Sequence, residues 1–346
     1  MATPGKSTRN TPGSGEPSAP GVLTSRDNRW LKQFRMALRG GLPTDSGAVG
    51  VEGVRLVEEA LRSGCPIEAV LFSESGERHR ERLAPYTSRP EIAFPSLRTT
   101  DRLFEGVADT EHPQGVAALV RPRQATLDDL LRTPASACSP LLVVLAGVQD
   151  PGNVGTILRT AAAFGATGAV TAASGQSGTA SPFSPKALRA SAGAALHLPI
   201  LAGMSLGILL TQLKLANVHT LASSVHDATP RGARDAAPGE RTERENVAAG
   251  FSLSPATADI FRTAVHPGTA APLSPWEVDW CEPVALLVGN EGAGLPEEVE
   301  RSADARIRIP MASGIESLNA AAAAAVLFYE AARQRNSLLE KNGAKP

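Results

Sequence analysis

Short apolar runs alternate with helical patterns through the second half of the chain. Residues 141–148 form a continuous apolar run of strand length, which is typical of a strand covered on both faces of a sheet. The alternation that follows is typical of βαβ units and predicts a mostly parallel sheet. The predicted strands are 141–148, 169–172, 218–223, 283–288 and 305–309, with a strand or loop around Leu196, and the predicted helices are 153–164, 206–215, 317–335 and one that starts at Pro185.

A smaller α/β unit is predicted over residues 26–123, upstream of that sheet. Its predicted elements are a helix at 51–63, a strand at 69–72, a charged helix at 77–83 and a strand at 115–120. Residues 124–140 have the composition of a linker. The chain is therefore expected to hold two α/β domains, 26–123 and 141–340.

Two segments have too few apolar residues to join either core. Residues 1–25 are crowded with Gly, Pro, Ser and Thr, so the entropy of ordering them would go uncompensated, and a disordered tail is expected. Residues 229–274 combine Pro, Gly and Ala with dense charge inside the predicted sheet. Because so long a structureless loop is rare within a compact domain, this segment is expected to be a flexible insertion.

Composition and charge narrow the class of protein. A chain of 346 residues with 42% hydrophobic residues can bury two cores. Since the net charge is −1, contact with nucleic acid would need a local basic patch. Cys65, Cys138 and Cys281 lack the spacing of a zinc site or a disulfide framework. Without a signal peptide or an apolar stretch long enough to span a bilayer, we expect a soluble cytoplasmic protein with no metal and no membrane partner.

Two polar residues near residue 150 are candidates for chemistry. Arg159 is the only charged residue between positions 151 and 185. It either reaches the surface along its aliphatic stem or serves a ligand. Asn153 follows the turn at 150–152, just past the carboxyl end of the predicted strand at 141–148, where ligands collect in open α/β sheets. It could equally cap the helix that starts there.

The glycine-rich turn at 289–294 follows another predicted strand. Its spacing, G-x-x-G-x-G, differs from the dinucleotide fingerprint G-x-G-x-x-G, so a Rossmann hydride-transfer enzyme is not expected. Glycines let a backbone approach a ligand closely, and Glu291 is the only charged residue from 283 to 296. Glu291 could also favour the next helix through its dipole, and Ser317 and Asn319 could simply cap the last helix.

Three motifs occur in order along the chain, together with two further segments. The motifs are N-V-G-T-I-L-R-T-A at 153–161 followed by F-G-A at 164–166, residues 287–295 and residues 307–319, and the segments are 112–116 and 186–193. Together they resemble the SpoU (TrmH-type) RNA ribose 2'-O-methyltransferases, a family of the SPOUT class. The resemblance covers most of residues 26–336.

The resemblance implies a fold and a cofactor. Family members have a C-terminal parallel α/β domain whose last part is threaded as a deep trefoil knot, an exception to the rule against knots. They bind S-adenosylmethionine largely through backbone groups, which by position implies cofactor contacts at Gly289, Ile309 and Leu318, with Met311 nearby. Family sites are completed across a dimer interface, so a homodimer is expected.

The resemblance also implies catalytic residues. Arg159 stands at the position of a family arginine described as the base that deprotonates the ribose hydroxyl. Because a guanidinium resists deprotonation, we expect Arg159 to act instead as an electrostatic clamp on the RNA phosphate and the developing alkoxide. Asn153, Glu291, Ser317 and Asn319 match polar family positions that hold substrate and shape the cofactor loops, and Glu291 is in addition a candidate proton acceptor.

Residues 26–123 resemble the L30e-like RNA-binding domain of family members that act on ribosomal RNA. Arg29, Lys32, Arg35 and Arg39 place four positive charges within eleven residues and could contact RNA phosphates. A solvated helix face would have the same pattern. The implied function is S-adenosylmethionine-dependent 2'-O-methylation of 23S ribosomal RNA. Transfer RNA as the substrate, and a non-catalytic RNA-binding or ribosome-assembly factor, are the alternatives.

Overall fold

The computed structural model describes residues 22–87, 94–132, 139–173, 178–224, 271–315 and 317–341. The chain divides into two compact units, Met1–Arg121 and Pro122–Pro346. The predicted tail lies outside the described residues except for 22–25, and the predicted insertion lies outside them except for 271–274.

The first unit is built on a five-stranded mixed sheet. Its strands are β1 (Val22–Leu23), β2 (Val49–Glu52), β3 (Ile67–Ser73), β4 (Ser96–Thr99) and β5 (Val116–Val120), and its helices are α1 (Arg29–Leu38), α2 (Val54–Arg62), α3 (Arg80–Thr87) and α4 (Asp101–Glu105). The spatial order is β1-β4-β3-β5-β2, parallel from β1 to β3 and antiparallel across β5. Leu31 and Phe34 of α1 pack into one core with Leu71 and Leu119 of the sheet.

The predicted helix at 51–63 is wrong at its start. Val49–Glu52 is a strand paired with β5, and the helix begins only at Val54. Gly53, at a φ of 95°, turns the chain between the two elements, a conformation that favours glycine. The predicted charged helix at 77–83 is a 3₁₀ turn, Ser75–His79, continued by α3.

The second unit contains a six-stranded sheet. Its elements are α5 (Leu127–Leu131), β6 (Leu141–Ala146), α6 (Pro151–Ala163), β7 (Gly168–Ala173), α7 (Pro185–Ala190), β8 (Ile200–Ser205), α8 (Leu206–Leu215), β9 (His219–Ser223), β10 (Val284–Val288), α9 (Glu297–Ser302), β11 (Ala305–Ile307) and α10 (Ala320–Lys341). The order is β11-β9-β10-β6-β7-β8, and every pair of neighbours is parallel, which confirms the predicted sheet. The strand order alone does not fix the implied knot, which stays a prediction.

The two continuous apolar runs, β6 and β10, lie side by side within this sheet and are buried along their whole length. Alternate residues Leu142 and Val144 of β6 and Ala285 and Leu287 of β10 share one core with Leu209 of α8. Because parallel strands in this register end together, the segments that follow β6 and β10 emerge next to each other.

Two helices begin at other residues than predicted, and the predicted linker contains a helix. Helix α6 begins at Pro151 instead of 153, and α10 begins at Ala320 instead of 317. The predicted linker contains α5, whose Thr126 and Asp129 cap the helix reciprocally. Leu130 of α5 is buried in the core of the second unit. Part of the predicted linker is therefore packed structure.

A buried arginine ties the last helix to the start of the central strands. Arg335 of α10 is 5% exposed. Its guanidinium donates to the carbonyl oxygens of Trp280 at 2.7 Å, Ser139 at 2.5 Å and Glu282 at 3.1 Å. These carbonyls precede β6 and β10, so Arg335 provides hydrogen-bond donors to the segments that lead into both strands.

Helix α10 is 22 residues long and includes Glu330, Arg333 and Arg335. These charged side chains lie within the 22-residue helix. Within the described ranges, no helix combines the length and apolar character needed to cross a bilayer.

Candidate active site

The candidate site forms where the chain leaves β6 and β10. Val288 pairs with Leu145 near the carboxyl ends of these strands. Beyond the strands, the side chain of Asn290 donates to the carbonyl oxygen of Gly147 at 3.0 Å. The turn at 147–150 and the glycine-rich loop at 289–294 are thus joined directly, at the edge of the sheet where parallel α/β folds collect ligands.

Three predicted catalytic residues form one hydrogen-bonded cluster, which we call the polar cluster: Asn153, Glu291 and Asn319. The Asn153 amide donates to Glu291 Oε1 at 3.0 Å, and the Asn319 amide donates to Asn153 Oδ1 at 3.1 Å. These side chains come from α6, the loop after β10 and the start of α10. Residues far apart in sequence therefore meet, as the three motifs predict.

Glu291 also holds the turn that follows β6. Its carboxylate accepts from the backbone N–H groups of Gln149 at 3.3 Å and Asp150 at 3.2 Å. Burial raises the pKa of this carboxyl, but the hydrogen bonds from Asn153, from its own backbone and from the turn outweigh that effect, so the net pKa is lowered. An anion so well supplied with donors is a weak proton acceptor, which argues against the predicted role of Glu291 as a base.

Of the two alternatives for Asn153, the capping of α6 is not the one that the structure shows. Asp150 is the capping residue, and its side chain accepts from the N–H of Gly152 at 3.1 Å. Pro151 fills the first helical position, where the missing N–H costs nothing. The Asn153 side chain is consequently free of the helix end and points its polar atoms to Glu291 and Asn319.

Asn319 both caps a helix and joins the polar cluster. Its Oδ1 accepts from the N–H groups of Ala321 at 2.9 Å and Ala322 at 3.3 Å, which confirms the predicted cap of α10. Its amide nitrogen remains available for Asn153. Ser317 is exposed and lies before the helix, and no hydrogen bond joins it to the polar cluster or to any other described residue. Its predicted catalytic role stays a prediction.

Asn290 organises the glycine-rich loop, a role that sequence analysis missed. Its Oδ1 accepts from the N–H groups of Gly292 at 2.9 Å and Ala293 at 3.0 Å. Asn290 and Gly294 also exchange two backbone hydrogen bonds, each 3.0 Å long. The tendency of asparagine to bond the N–H two residues later was the available indication.

Gly289 is required by the closure of its own loop. A Cβ at this position would lie 2.4 Å from the carbonyl carbon of Gly294 and 2.5 Å from the nitrogen of Leu295. The prediction assigned this glycine to close approach of a ligand, whereas the structure first explains it by close approach of the loop to itself. A cofactor contact at Gly289 stays a prediction.

The other predicted cofactor residues offer unused backbone groups. Ile309 and Met311 are half-buried and follow β11, and Leu318 is 39% exposed before α10. Among the described residues, none hydrogen-bonds to the backbone N–H or C=O of Ile309, Met311 or Leu318. Apolar side chains next to free backbone groups fit the predicted cofactor, which has an apolar body and is held through main-chain contacts.

Arg159 is exposed on α6, away from the glycine-rich loop in sequence but on the same helix as Asn153. Six residues separate them, or about 9 Å along the helix axis. No described residue forms an ion pair or hydrogen bond with Arg159. Its guanidinium is therefore available to an external anion, as the prediction requires.

The predicted RNA-binding residues form a stripe along α1 of the first unit and its C-cap. Arg29, Lys32 and Arg35 recur at helical spacing on α1, and Arg39 is the residue that caps its end. Lys32 pairs with Asp27 at 3.2 Å, and the Nε of Arg35 donates to the Gly106 carbonyl at 3.3 Å. The Arg29 guanidinium lies 5.1 Å from the centre of the Trp30 ring. Each of these three cations thus has a partner inside the unit, which weakens the case for a dedicated RNA patch.

Across the described ranges, no group of three or more His, Cys, Asp or Glu side chains is arranged to hold a metal ion. The polar cluster itself consists of two side-chain amides and one carboxylate.

Two families match the chain. Residues 140–248 and 252–329 match the SpoU rRNA Methylase family, and residues 44–118 match the MRM3-like substrate binding domain. The first match includes the whole polar cluster. The second begins after α1, so the predicted basic residues Arg29, Lys32, Arg35 and Arg39 lie outside it.

Relatives and solved structures resemble the chain over nearly its full length. It is 28% identical over 315 residues to the 23S rRNA (uridine(2479)-2'-O)-methyltransferase of Streptomyces viridochromogenes, covering 91% of this chain and 93% of that protein. It is 27% identical over 307 residues to the 23S rRNA (guanosine(2553)-2'-O)-methyltransferase RlmP of Bacillus subtilis, covering 89% and 97%. The crystal structure of an AdoMet-bound rRNA methyltransferase from Sinorhizobium meliloti is similar with a TM-score of 0.66 and 26% identity, covering 91% and 98%.

Proposed function

Since the chain belongs to the SpoU rRNA methylase family, we propose that it is an S-adenosylmethionine-dependent methyltransferase that acts on a ribose 2'-hydroxyl of 23S ribosomal RNA. The names of the Streptomyces and Bacillus relatives support the substrate and the atom that is methylated. The AdoMet-bound neighbour supports the cofactor.

The observation that carries this proposal is the polar cluster. Asn153, Glu291 and Asn319 meet beside the loops that follow β6 and β10. Asn153 shares helix α6 with Arg159, whose guanidinium pairs with no described residue, and Ile309, Met311 and Leu318 have backbone groups that no described residue bonds. These groups suit a cofactor held by the main chain and an anionic substrate.

In the proposed site the chain's backbone holds the cofactor. Ile309, Met311 and Leu318 offer apolar surface and N–H and C=O groups that no other described residue bonds, and Gly289 keeps the neighbouring loop closed. S-adenosylmethionine, when bound, supplies a methyl group on a sulfonium, which is already a good electrophile. The protein's remaining task is to orient the ribose and manage its proton.

We assign Arg159 to the RNA. Its exposed guanidinium, which pairs with no described residue, would hold a phosphate and stabilise the alkoxide that develops as the 2'-hydroxyl loses its proton. A fixed positive charge lowers the cost of that oxyanion without itself taking a proton, so the proton can leave to water. Glu291 anchors the turn before Asn153, and Asn153 with Asn319 positions the substrate. Ser317 is assigned to the same substrate-facing rim from its family position.

The first unit is proposed to bind the RNA away from the reacting ribose. Its match to the MRM3-like substrate binding domain supports this role. The basic stripe along α1 and its C-cap, which consists of Arg29, Lys32, Arg35 and Arg39, would add contacts to RNA phosphates. To make these contacts, Lys32 and Arg35 would give up their hydrogen bonds within the unit.

We further propose that the enzyme works as a homodimer in the cytoplasm, where ribosomal RNA is found. Large apolar side chains are exposed on α10, with Val326 at 42% and Tyr329 at 58%. Exposed apolar surface of this kind favours a protein interface. Sedimentation equilibrium tests the state, with twice the mass of one chain expected.

Mapping RNA methylation in cells with and without this protein tests the function. Loss of one ribose methyl group from 23S ribosomal RNA is expected when the protein is absent. Loss of a methyl group from a transfer RNA instead would show that the substrate is transfer RNA and not 23S ribosomal RNA. An unchanged map would favour the alternative of a non-catalytic RNA-binding or assembly factor.

A further inference from the structure

Lys186 lies beside the turn that Glu291 anchors, although none of the predicted roles includes it. It sits in the first turn of α7, which packs very closely on α6 because Gly155 has no side chain: a Cβ there would lie 2.3 Å from the Ala187 carbonyl oxygen. This contact brings the Lys186 ammonium to 2.5 Å from Asp150 Oδ1. Asp150 precedes Asn153 in the same turn.

The charges around this turn are unfavourable for RNA without Lys186. Two carboxylates belong to this turn, because Asp150 lies in it and Glu291 accepts from the backbone N–H of Asp150. The hydrogen bond from Lys186, followed by that from the Gly152 N–H, lowers the pKa of the Asp150 carboxyl, so both groups are anionic at neutral pH. A phosphate approaching Asn153 would meet this negative charge.

The ion pair between Lys186 and Asp150 contributes little to the stability of the fold. The side chains are 60% and 44% exposed, and exposed pairs contribute little to folding. Asp150 caps α6 through the N–H of Gly152 with or without a cation beside it. An ammonium has three donors, of which Asp150 occupies one, so the exposed remainder of the group can bind a second anion.

We propose that Lys186 is a substrate-contact residue whose ammonium holds an RNA phosphate beside the reacting ribose. The inference rests on the proposed function. Lys186 and Arg159 would then contact the RNA backbone on either side of Asn153, one from α7 and one from α6.

Two variants separate an RNA contact from a structural ion pair. Lys186→Met removes the ammonium, whereas Asp150→Asn removes the pairing but keeps a good helix cap. Binding of unmodified, in vitro transcribed 23S ribosomal RNA would be measured by filter retention across a range of salt concentrations. Lys214→Met, which changes an exposed lysine on α8, is the matched control.

Loss of one phosphate contact has a defined signature. The slope of log affinity against log salt should fall in magnitude by about 0.7 in Lys186→Met, and affinity near 0.1 M salt should fall roughly fivefold. Asp150→Asn should bind RNA at least as tightly as the wild type, because it frees the lysine. Cofactor affinity should not change in either variant.

Equal losses in the two variants, or a wild-type salt slope in Lys186→Met, would overturn the inference. Methyl transfer to the same transcript by the wild-type protein separates this result from failure of the proposed function. If the wild type methylates the transcript and Lys186→Met keeps the wild-type slope of log affinity against log salt, only the inference about Lys186 is refuted. If the wild type transfers no methyl group, the proposed function falls and the inference with it.

Discussion

Replacing Glu291 by Gln distinguishes an anchor from a base. The carboxylate accepts from Asn153 and Asp150 through Oε1 and from Gln149 through Oε2. Glutamine keeps the size and one acceptor oxygen, but its NH2 group cannot accept. At least one hydrogen bond is therefore lost, and the others lose their charge. A hydrogen bond to a charged group contributes about 1.5–3 kcal/mol, and exposure of this cluster favours the lower end.

A loss of about 1.5 kcal/mol corresponds to roughly a tenfold change in an equilibrium constant. We expect Glu291→Gln to bind S-adenosylmethionine about tenfold more weakly by calorimetry, with kcat at saturating cofactor lowered by less than about tenfold. If Glu291 were the base, kcat would fall by about 10²–10⁴ while cofactor affinity stayed intact. That second pattern would refute the anchor role. Glu298→Gln, on the exposed side of α9, is the control.

The lowered pKa of Glu291 sets the direction of its pH dependence. A carboxyl whose pKa is depressed by folding stabilises the folded loop above its unfolded pKa, and this contribution is lost as the pH falls through the folded value. Cofactor affinity should therefore be flat through neutral pH and weaken only below the ordinary glutamate value of about 4.3. In Glu291→Gln this weakening of cofactor affinity at low pH should be absent.

Three further variants test separate parts of the account. Arg159→Ala should lower kcat by about 10²–10³ with cofactor affinity unchanged, and near-normal turnover would end its assignment. Gly289→Ala should abolish cofactor binding, because its Cβ would overlap the loop's own backbone, while Gly292→Ala, with 3.7 Å to its nearest contact, should bind normally. Arg335→Met should lower the free energy of unfolding in urea by about 3 kcal/mol, since buried carbonyls lose a charged donor. A loss no larger than that of Arg333→Met, an exposed arginine, would contradict this.

The parallel sheet was predictable because its central strands are buried on both faces. Their side chains need not alternate, so β6 and β10 stand out as continuous apolar runs. Strand β2 was not predictable in the same way. It is four residues long and leads directly into α2, so one apolar pattern covers both elements. Only Gly53 marks the boundary between them.

The motifs predicted which segments form the site but not which atoms meet. Asp150 and Asn153 are both good helix caps, and Pro151 at the first helical position was the local indication that favours Asp150. The contact of Asn153 with Glu291, in contrast, forms where β10 pairs with β6. The hydrogen bond from Asn290 to Gly147 likewise joins segments that follow neighbouring strands. Long-range strand pairing, which sequence periodicity does not specify, supplied these contacts.

The central claim is that this chain methylates a ribose and not a base. Unmodified 23S ribosomal RNA would be incubated with the protein and S-adenosylmethionine labelled in the methyl group, then hydrolysed in alkali. A 2'-O-methyl group removes the hydroxyl that attacks the neighbouring phosphate, so the account predicts label in an alkali-stable dinucleotide. Label in single nucleotides, which would indicate a methylated base, or no incorporation at all, would contradict it.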